Sequence, residues 1–116
     1  AILLAKESNI EINSLIKLSL ASAFLKKNNK NNIEKSLKLL EEILPYEKSN
    51  SLFWRLIATS SGKLKKQSIA YIALAEEQVI KKNFKKAKNY ALLGLKDKNL
   101  NFFYKIRGKD ILNLKD

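Results

Sequence analysis

Residues 73–87 read ALAEEQVIKKNFKKA and place two adjacent carboxylates, Glu76 and Glu77, in a helical stretch that runs into a series of lysines. A second pair, Glu41–Glu42, sits in the same way farther upstream. Carboxylate pairs do acid–base or nucleophilic work when they face one another across a cleft. Successive residues of a helix point roughly 100° apart, so neither pair can close on one ligand. The expected state is a solvated or edge carboxylate. Glu77 precedes Lys81 by four residues, the favourable order for a helical ion pair, whereas Glu76 meets only Ile80 at that spacing. Glu41–Glu42 have Lys38 as their helical neighbour. The chain has no His and no Cys, which removes thiol chemistry and the side chains behind most metal sites and most general-base catalysis. No glycine-rich phosphate loop is present. The expectation is a chain with no catalytic residue, no metal ligand set and no cofactor of its own.

The elements that carry these residues are helices. The 116 residues suit a single domain, 1–116. Leu, Ile, Ala and Lys dominate, Val occurs once, and Pro and Gly are scarce, a mixture that favours helix over strand. The chain opens on Ala1 and is expected to be a fragment of a longer protein, with residues 1–8 the end of a preceding helix. Apolar runs such as LSLASAFL (18–25) are too short to span a bilayer. Periodicity places a helix over 11–27 with a stripe of Ile12, Leu15, Ile16, Leu20, Ala23 and Phe24 facing inward. A second helix is expected over 33–44, capped by Asn32 and ended by Pro45. A third runs to Ser61, with Ser49 or Asn50 as cap and Gly62 at its end. Helices over 65–82 and 84–96 and a capping helix within 99–114 follow. Loops this short require antiparallel neighbours.

Internal similarity points to the tetratricopeptide repeat (TPR), in which small residues let two helices approach and large ones fill the groove. Leu20, Ala21 and Phe24, then Ser36, Leu40 and Pro45, match one unit. Trp54, Ile57 and Ala58 with Ala70 and Leu74 match another, Ser61 replacing an aromatic. Tyr71, Leu74 and Ala75 with Phe84, Ala87 and Ala91 match a third, Gln78 standing at the aromatic position. The expected fold is all-α: antiparallel helix pairs stacked as a TPR-like right-handed solenoid, about six helices plus an N-terminal helix remnant.

The order of LFWRLIATSSGK, AYIALAEEQVIKKNFKKAKNYALLGL and RGKDIL resembles the C-terminal helical-repeat region of bacterial zinc metalloproteases of the BepA/HtpX-related class (metallopeptidase family forty-eight). The matching residues are Trp54, Arg55, Ile57 and Ala58; Ala70, Leu74, Ala75 and Glu76; Asn83 and Phe84; Ala87 and Ala91; and Asp110, Ile111 and Leu112. The resemblance covers about residues 15–114. It implies an upstream H-E-x-x-H domain that holds zinc, export to the periplasm, and a repeat region that binds a protein or peptide partner, a substrate, or its own upstream protease domain.

The net charge is +12, and only Arg55 and Arg107 among the 23 basic residues are arginine. Lys, Asn and Ile are residues of AT-rich codons, so this charge can arise by composition. The shortage of arginine argues against base recognition in nucleic acid. Alternating loops put Lys26, Lys27, Lys30, Lys63, Lys65, Lys66, Lys96 and Lys98 on one edge, a rim suited to acidic partners or to solvated loop ends. On a concave face the candidate partner-binding groups are Ser14, Lys17, Ser22, Arg55, Thr59, Gln78 and Lys82. Of Phe102, Phe103 and Tyr104, at least one must be exposed. The leading expectation is a non-catalytic protein-interaction domain attached to an exported zinc metalloprotease. The alternatives are a free-standing scaffold or assembly factor and, third, a basic nucleic-acid-binding array.

Overall fold

A computed structural model of the chain describes residues 2–115, with side chains for residue 9 and residues 11–115. Six α-helices follow in order: α1 (Ile2–Lys26), α2 (Lys30–Glu47), α3 (Ser51–Lys63), α4 (Gln67–Ile80), α5 (Phe84–Leu95) and α6 (Phe102–Leu112). Among the described residues there is no strand, and no helix is long and apolar enough to cross a membrane. Each helix packs on its chain neighbours, and α1 also touches α3 while α4 touches α6. Arg55 near the start of α3 meets Glu77 near the end of α4, and Tyr71 early in α4 stacks on Tyr90 in the second half of α5, so these neighbours run antiparallel.

Asparagine starts four of the six helices. The side chains of Asn29, Asn50, Asn83 and Asn101 accept hydrogen bonds from the backbone N–H groups of Asn32, Leu52, Lys86 and Phe103. Each satisfies an amide that has no partner within its helix. The cap of α2 is therefore Asn29, not Asn32, because Lys30 to Asn32 are already helical. The turns between α1 and α2, α3 and α4, and α4 and α5 each place one non-glycine residue in the left-handed region: Asn28, Lys65 and Lys82, with φ of 53°, 61° and 63°.

Three further expectations are corrected. The expected remnant at residues 1–8 is not separate from Ile2 onward: the backbone from Ile2 is continuous with α1, while residue 1 and the side chains of residues 2–8 lie outside the described residues. Pro45 does not end α2. It sits one turn from the C-terminus, where its missing N–H removes a single intrahelical bond, and the helix continues to Glu47. The stripe of α1 faces the other way. Ile12, Leu15, Ile16 and Leu20 are exposed, while Ser14, Leu18, Ala21 and Leu25 are buried. Both faces of α1 are apolar, so period alone cannot choose between them. Close approach decides: small residues at 14 and 21 let α2 in, and the Ser36 hydroxyl donates to the Ala21 carbonyl at 2.7 Å.

The main core joins α1 to α4 around Leu40, Phe53, Trp54, Ile57 and Ala73, all fully buried. The Trp54 indole N–H donates to the Lys48 carbonyl at 2.8 Å. Phe53 lies edge-on to Trp54. A second cluster joins α4, α5 and α6 through Ala75, Ala87, Ala91 and Ile111, and a third gathers Ile72, Leu100 and Tyr104. In this half the decisive feature is a hollow of two glycines. A Cβ on Gly94 would stand 2.7 Å from Ile72 Cδ1 and 3.0 Å from the Ser68 carbonyl oxygen, and one on Gly108 would stand 2.9 Å from the same Cδ1. Ile72 thus fills space that only glycine leaves.

Two glycines of opposite behaviour test this packing. Gly94→Ala should lower unfolding stability by about 1–3 kcal/mol through overpacking, in spite of alanine's better helix propensity. Gly62→Ala, with open space around it, should raise stability by about 0.5–1 kcal/mol. Trp54→Ala should cost about 3–5 kcal/mol. Urea unfolding followed by helical circular dichroism reads all three.

Candidate functional site

The adjacent carboxylates of α4 are neither solvated nor at an edge, which corrects the sequence-based expectation. Glu76 and Glu77 are both buried, at 3% and 4% exposure. Their divergence along the helix sends them to different neighbours. Glu77 turns to α3, where Arg55 Nε and Nη2 donate to its two oxygens at 3.0 and 3.3 Å. Lys81, one turn on, adds a bond at 3.4 Å. Glu76 turns to α6 and accepts from the Arg107 guanidinium. The only two arginines of the chain are thus committed to this one pair of acids. The spacing pointed to Lys81 and missed both arginines, since partners 22 and 31 residues away leave no local trace.

The environments of the two acids push them apart. Burial is the largest influence on Glu76 and raises its pKa, with Arg107 opposing. The hydrogen bond from Arg55 is the largest influence on Glu77 and lowers its pKa. The arrangement can clamp α4 between α3 and α6. The two carboxylates face different helices, and among the described residues no three His, Cys, Asp or Glu side chains gather as metal ligands would.

A second polar bridge spans farther. The buried Tyr104 hydroxyl donates to Glu41 Oε2 at 3.0 Å, tying α6 to α2. Burial, followed by the charge of Glu41, holds that phenol far above its usual range. Beside it Phe102 is 74% exposed and Phe103 partly so. The three consecutive aromatics therefore divide as expected.

Several of the seven residues proposed as a partner-binding face are engaged within the chain. Ser14 is buried and donates to Glu47 at 2.6 Å. Lys17 pairs with Glu42 at 3.0 Å. Arg55 is held by Glu77, and Thr59 donates to the Arg55 carbonyl. Gln78 is half-buried on α4 and Lys82 is exposed at the next turn. Ser22 lines a groove formed between α1 and α3 with Leu15, Leu18, Leu52 and Leu56. Among the packing candidates, Ala21, Leu40, Trp54, Ile57, Ala70, Ala75, Ala87 and Ala91 are buried. Ala58, Tyr71, Leu74 and Phe84 are half-buried. Phe24 is also half-buried, its ring under the ammonium groups of Lys27 and Lys35. Leu20 is exposed, because it belongs to the outward face of α1.

Of the eight lysines expected on one edge, Lys30, Lys63, Lys65 and Lys66 line two neighbouring clefts, whereas Lys26 lines the α1–α3 groove and Lys96 a cleft on α5. Lys63 Nζ donates to Asn28 Oδ1 at 2.8 Å, joining the first and third turns. Asn28, Lys30, Ile33, Lys63, Leu64 and Lys65 line a cleft of about 510 Å³. A neighbouring cleft of about 490 Å³ begins at Lys65 and Lys66 and reaches Asp97 and Asn101.

No family model, curated protein or solved structure matches this chain.

The opposed acids give a pH signature. A carboxylate with a lowered folded pKa stabilises above its unfolded value and loses that contribution as pH falls through the folded value. The stability advantage of wild type over Glu77→Gln should therefore be largest above the ordinary value of 4.5 and shrink on acidification. Glu76, with a raised folded pKa, has the opposite sign: wild type should gain on Glu76→Gln as pH falls toward 4.5. Urea midpoints at constant ionic strength from about pH 3 to about pH 7 would show the two trends diverging.

Proposed function

We propose that this chain is a non-catalytic protein–protein interaction domain, a TPR-like right-handed solenoid of antiparallel helix pairs. The reading extends to its serving as the partner- or substrate-binding arm of an exported zinc metalloprotease. The repeat reading is supported by the six sequential helices and short turns. The buried Ala70, Ala75, Ala87 and Ala91 add to it, falling where small residues of the repeat belong.

The observation that carries the interaction reading is the outward face of α1. Ile12, Leu15, Ile16 and Leu20 are 57%, 63%, 51% and 44% exposed. A contiguous apolar helix face of this kind marks a protein contact. It adjoins the α1–α3 groove floored by Leu18, Leu52 and Leu56. The occupant we favour is a protein surface, with the chain's own upstream domain first. The H-E-x-x-H motif of a protease requires histidine, which this chain lacks, so zinc and catalysis belong to that upstream domain. The second reading is a free-standing scaffold.

The test begins with the reading frame upstream of the codon for Ala1. An H-E-x-x-H helix behind an export signal is expected, and an unrelated domain there would remove the protease context. In the full-length protein, Leu15→Ser with Ile16→Ser should leave thermal unfolding of residues 1–116 within about 0.5 kcal/mol of wild type, since both side chains are exposed. The same double change should weaken docking of the arm, measured by cross-linking to the upstream domain. Unchanged cross-linking would eliminate the α1 face as that contact.

A further inference from the structure

The two clefts on the lysine edge meet at Lys65, which lines both, so together they form one trough across the turns that follow α1, α3 and α5. Its lining includes Lys30, Lys63, Lys65 and Lys66 together with the apolar Ile33, Leu64, Ile69 and Leu100. One carboxylate lies in it, Asp97. That group already accepts from the Ser68 hydroxyl at 2.6 Å and from the Asn99 amide at 2.9 Å. The acids that form ion pairs elsewhere, Glu42, Glu76 and Glu77, are engaged by Lys17, Arg107, Arg55 and Lys81, none of which lines the trough. The four lysines of the trough are left, among the described residues, without an ion pair.

We propose that this trough binds an extended acidic segment of a partner protein, its carboxylates on the lysines and its apolar side chains on the apolar lining. Nucleic acid fits less well. No aromatic side chain lines either cleft to stack a base, and both arginines are held by buried glutamates. The proposal concerns a surface separate from the outward face of α1 and does not depend on it.

Fluorescence anisotropy on the chain tests it, using as probes a labelled peptide of alternating glutamate and leucine, its glutamine counterpart, and an oligothymidylate of equal charge. The trough variant is Lys30→Glu with Lys66→Glu. The matched control is Lys85→Glu with Lys86→Glu, which makes the same charge change in the first turn of α5, at the opposite end of α4. Glutamates near helix N-termini are electrostatically favourable, so both variants should fold, as urea unfolding would verify. The acidic peptide should bind wild type and the control within about twofold of each other, and the trough variant about tenfold or more weakly. The glutamine peptide should not bind. Equal weakening by both variants would reduce the effect to net charge and overturn the trough. Absence of binding by the acidic peptide, or tighter binding of the oligonucleotide with the same loss in the trough variant, would overturn an acidic protein segment as the occupant. Leu15→Ser with Ile16→Ser should leave peptide binding unchanged, so a failure at either surface is read separately from the other.

Discussion

Ile72 has to sit where two helices have no side chain. Gly94 of α5 and Gly108 of α6 both approach it so closely that a methyl group on either would overlap its terminal carbon. That approach brings both α5 and α6 against α4 at Ile72, and much else follows from it. With α3 also packed on it, α4 buries Ala70, Ile72, Ala73, Ala75 and both glutamates. Its carboxylates can then exist only if each is met by a cation from a flanking helix, since an unpaired buried charge costs several kcal/mol. Arg55 and Arg107 meet that requirement. Arginine suits it because the planar fork can hold a carboxylate by two nitrogens while its stem packs against apolar neighbours. The glycine hollow and the buried ion pairs are two sides of one constraint.

The distribution of charge follows the same division. Where the chain is dry, cations and anions are matched one to one or nearly so. Where it is wet, lysine dominates with little to answer it. Part of that excess is compositional. The asparagines that accompany it have found structural employment as helix caps at Asn29, Asn50, Asn83 and Asn101. A sequence drifting toward Lys and Asn can therefore keep well-defined helix boundaries while its surface becomes strongly cationic.

The helical class, the number of main helices and their approximate limits were legible, because a 3.6-residue period and turn residues are local properties. So was the inward course of α2, α3 and α5 through Leu40, Trp54, Ile57, Ala87 and Ala91. The facing of α1 was not legible: the helix is apolar on both sides, and only the fit of Ser14 and Ala21 against α2 selects one. Pro45 misled because its cost depends on distance from the helix end. The partners of Glu76 and Glu77 were hidden for a different reason. A spacing rule sees four residues ahead, whereas those contacts depend on which helix lies where. The Ile72 hollow had one faint signal, two glycines inside helical patterns in a chain with only three, and an internal helical glycine usually has a packing reason. The partners that Ser14, Lys17 and Arg55 of the proposed partner face find within the chain, Glu47, Glu42 and Glu77, were hidden for the same reason as those of Glu76 and Glu77.

The hydrogen bond from Tyr104 to Glu41 joins residues 63 positions apart, the longest reach of any side-chain bond described here. In a row of helices that touch only their neighbours, the ends can fray one helix at a time, and stability becomes a sum of local pieces. A strut from the last helix back to the second changes that behaviour. Opening α6 also withdraws support from α2, and with it from the core around Trp54. Loss of the terminal helix then becomes part of a larger cooperative event. The strut thus couples the terminal helix to a helix with which it shares no backbone packing.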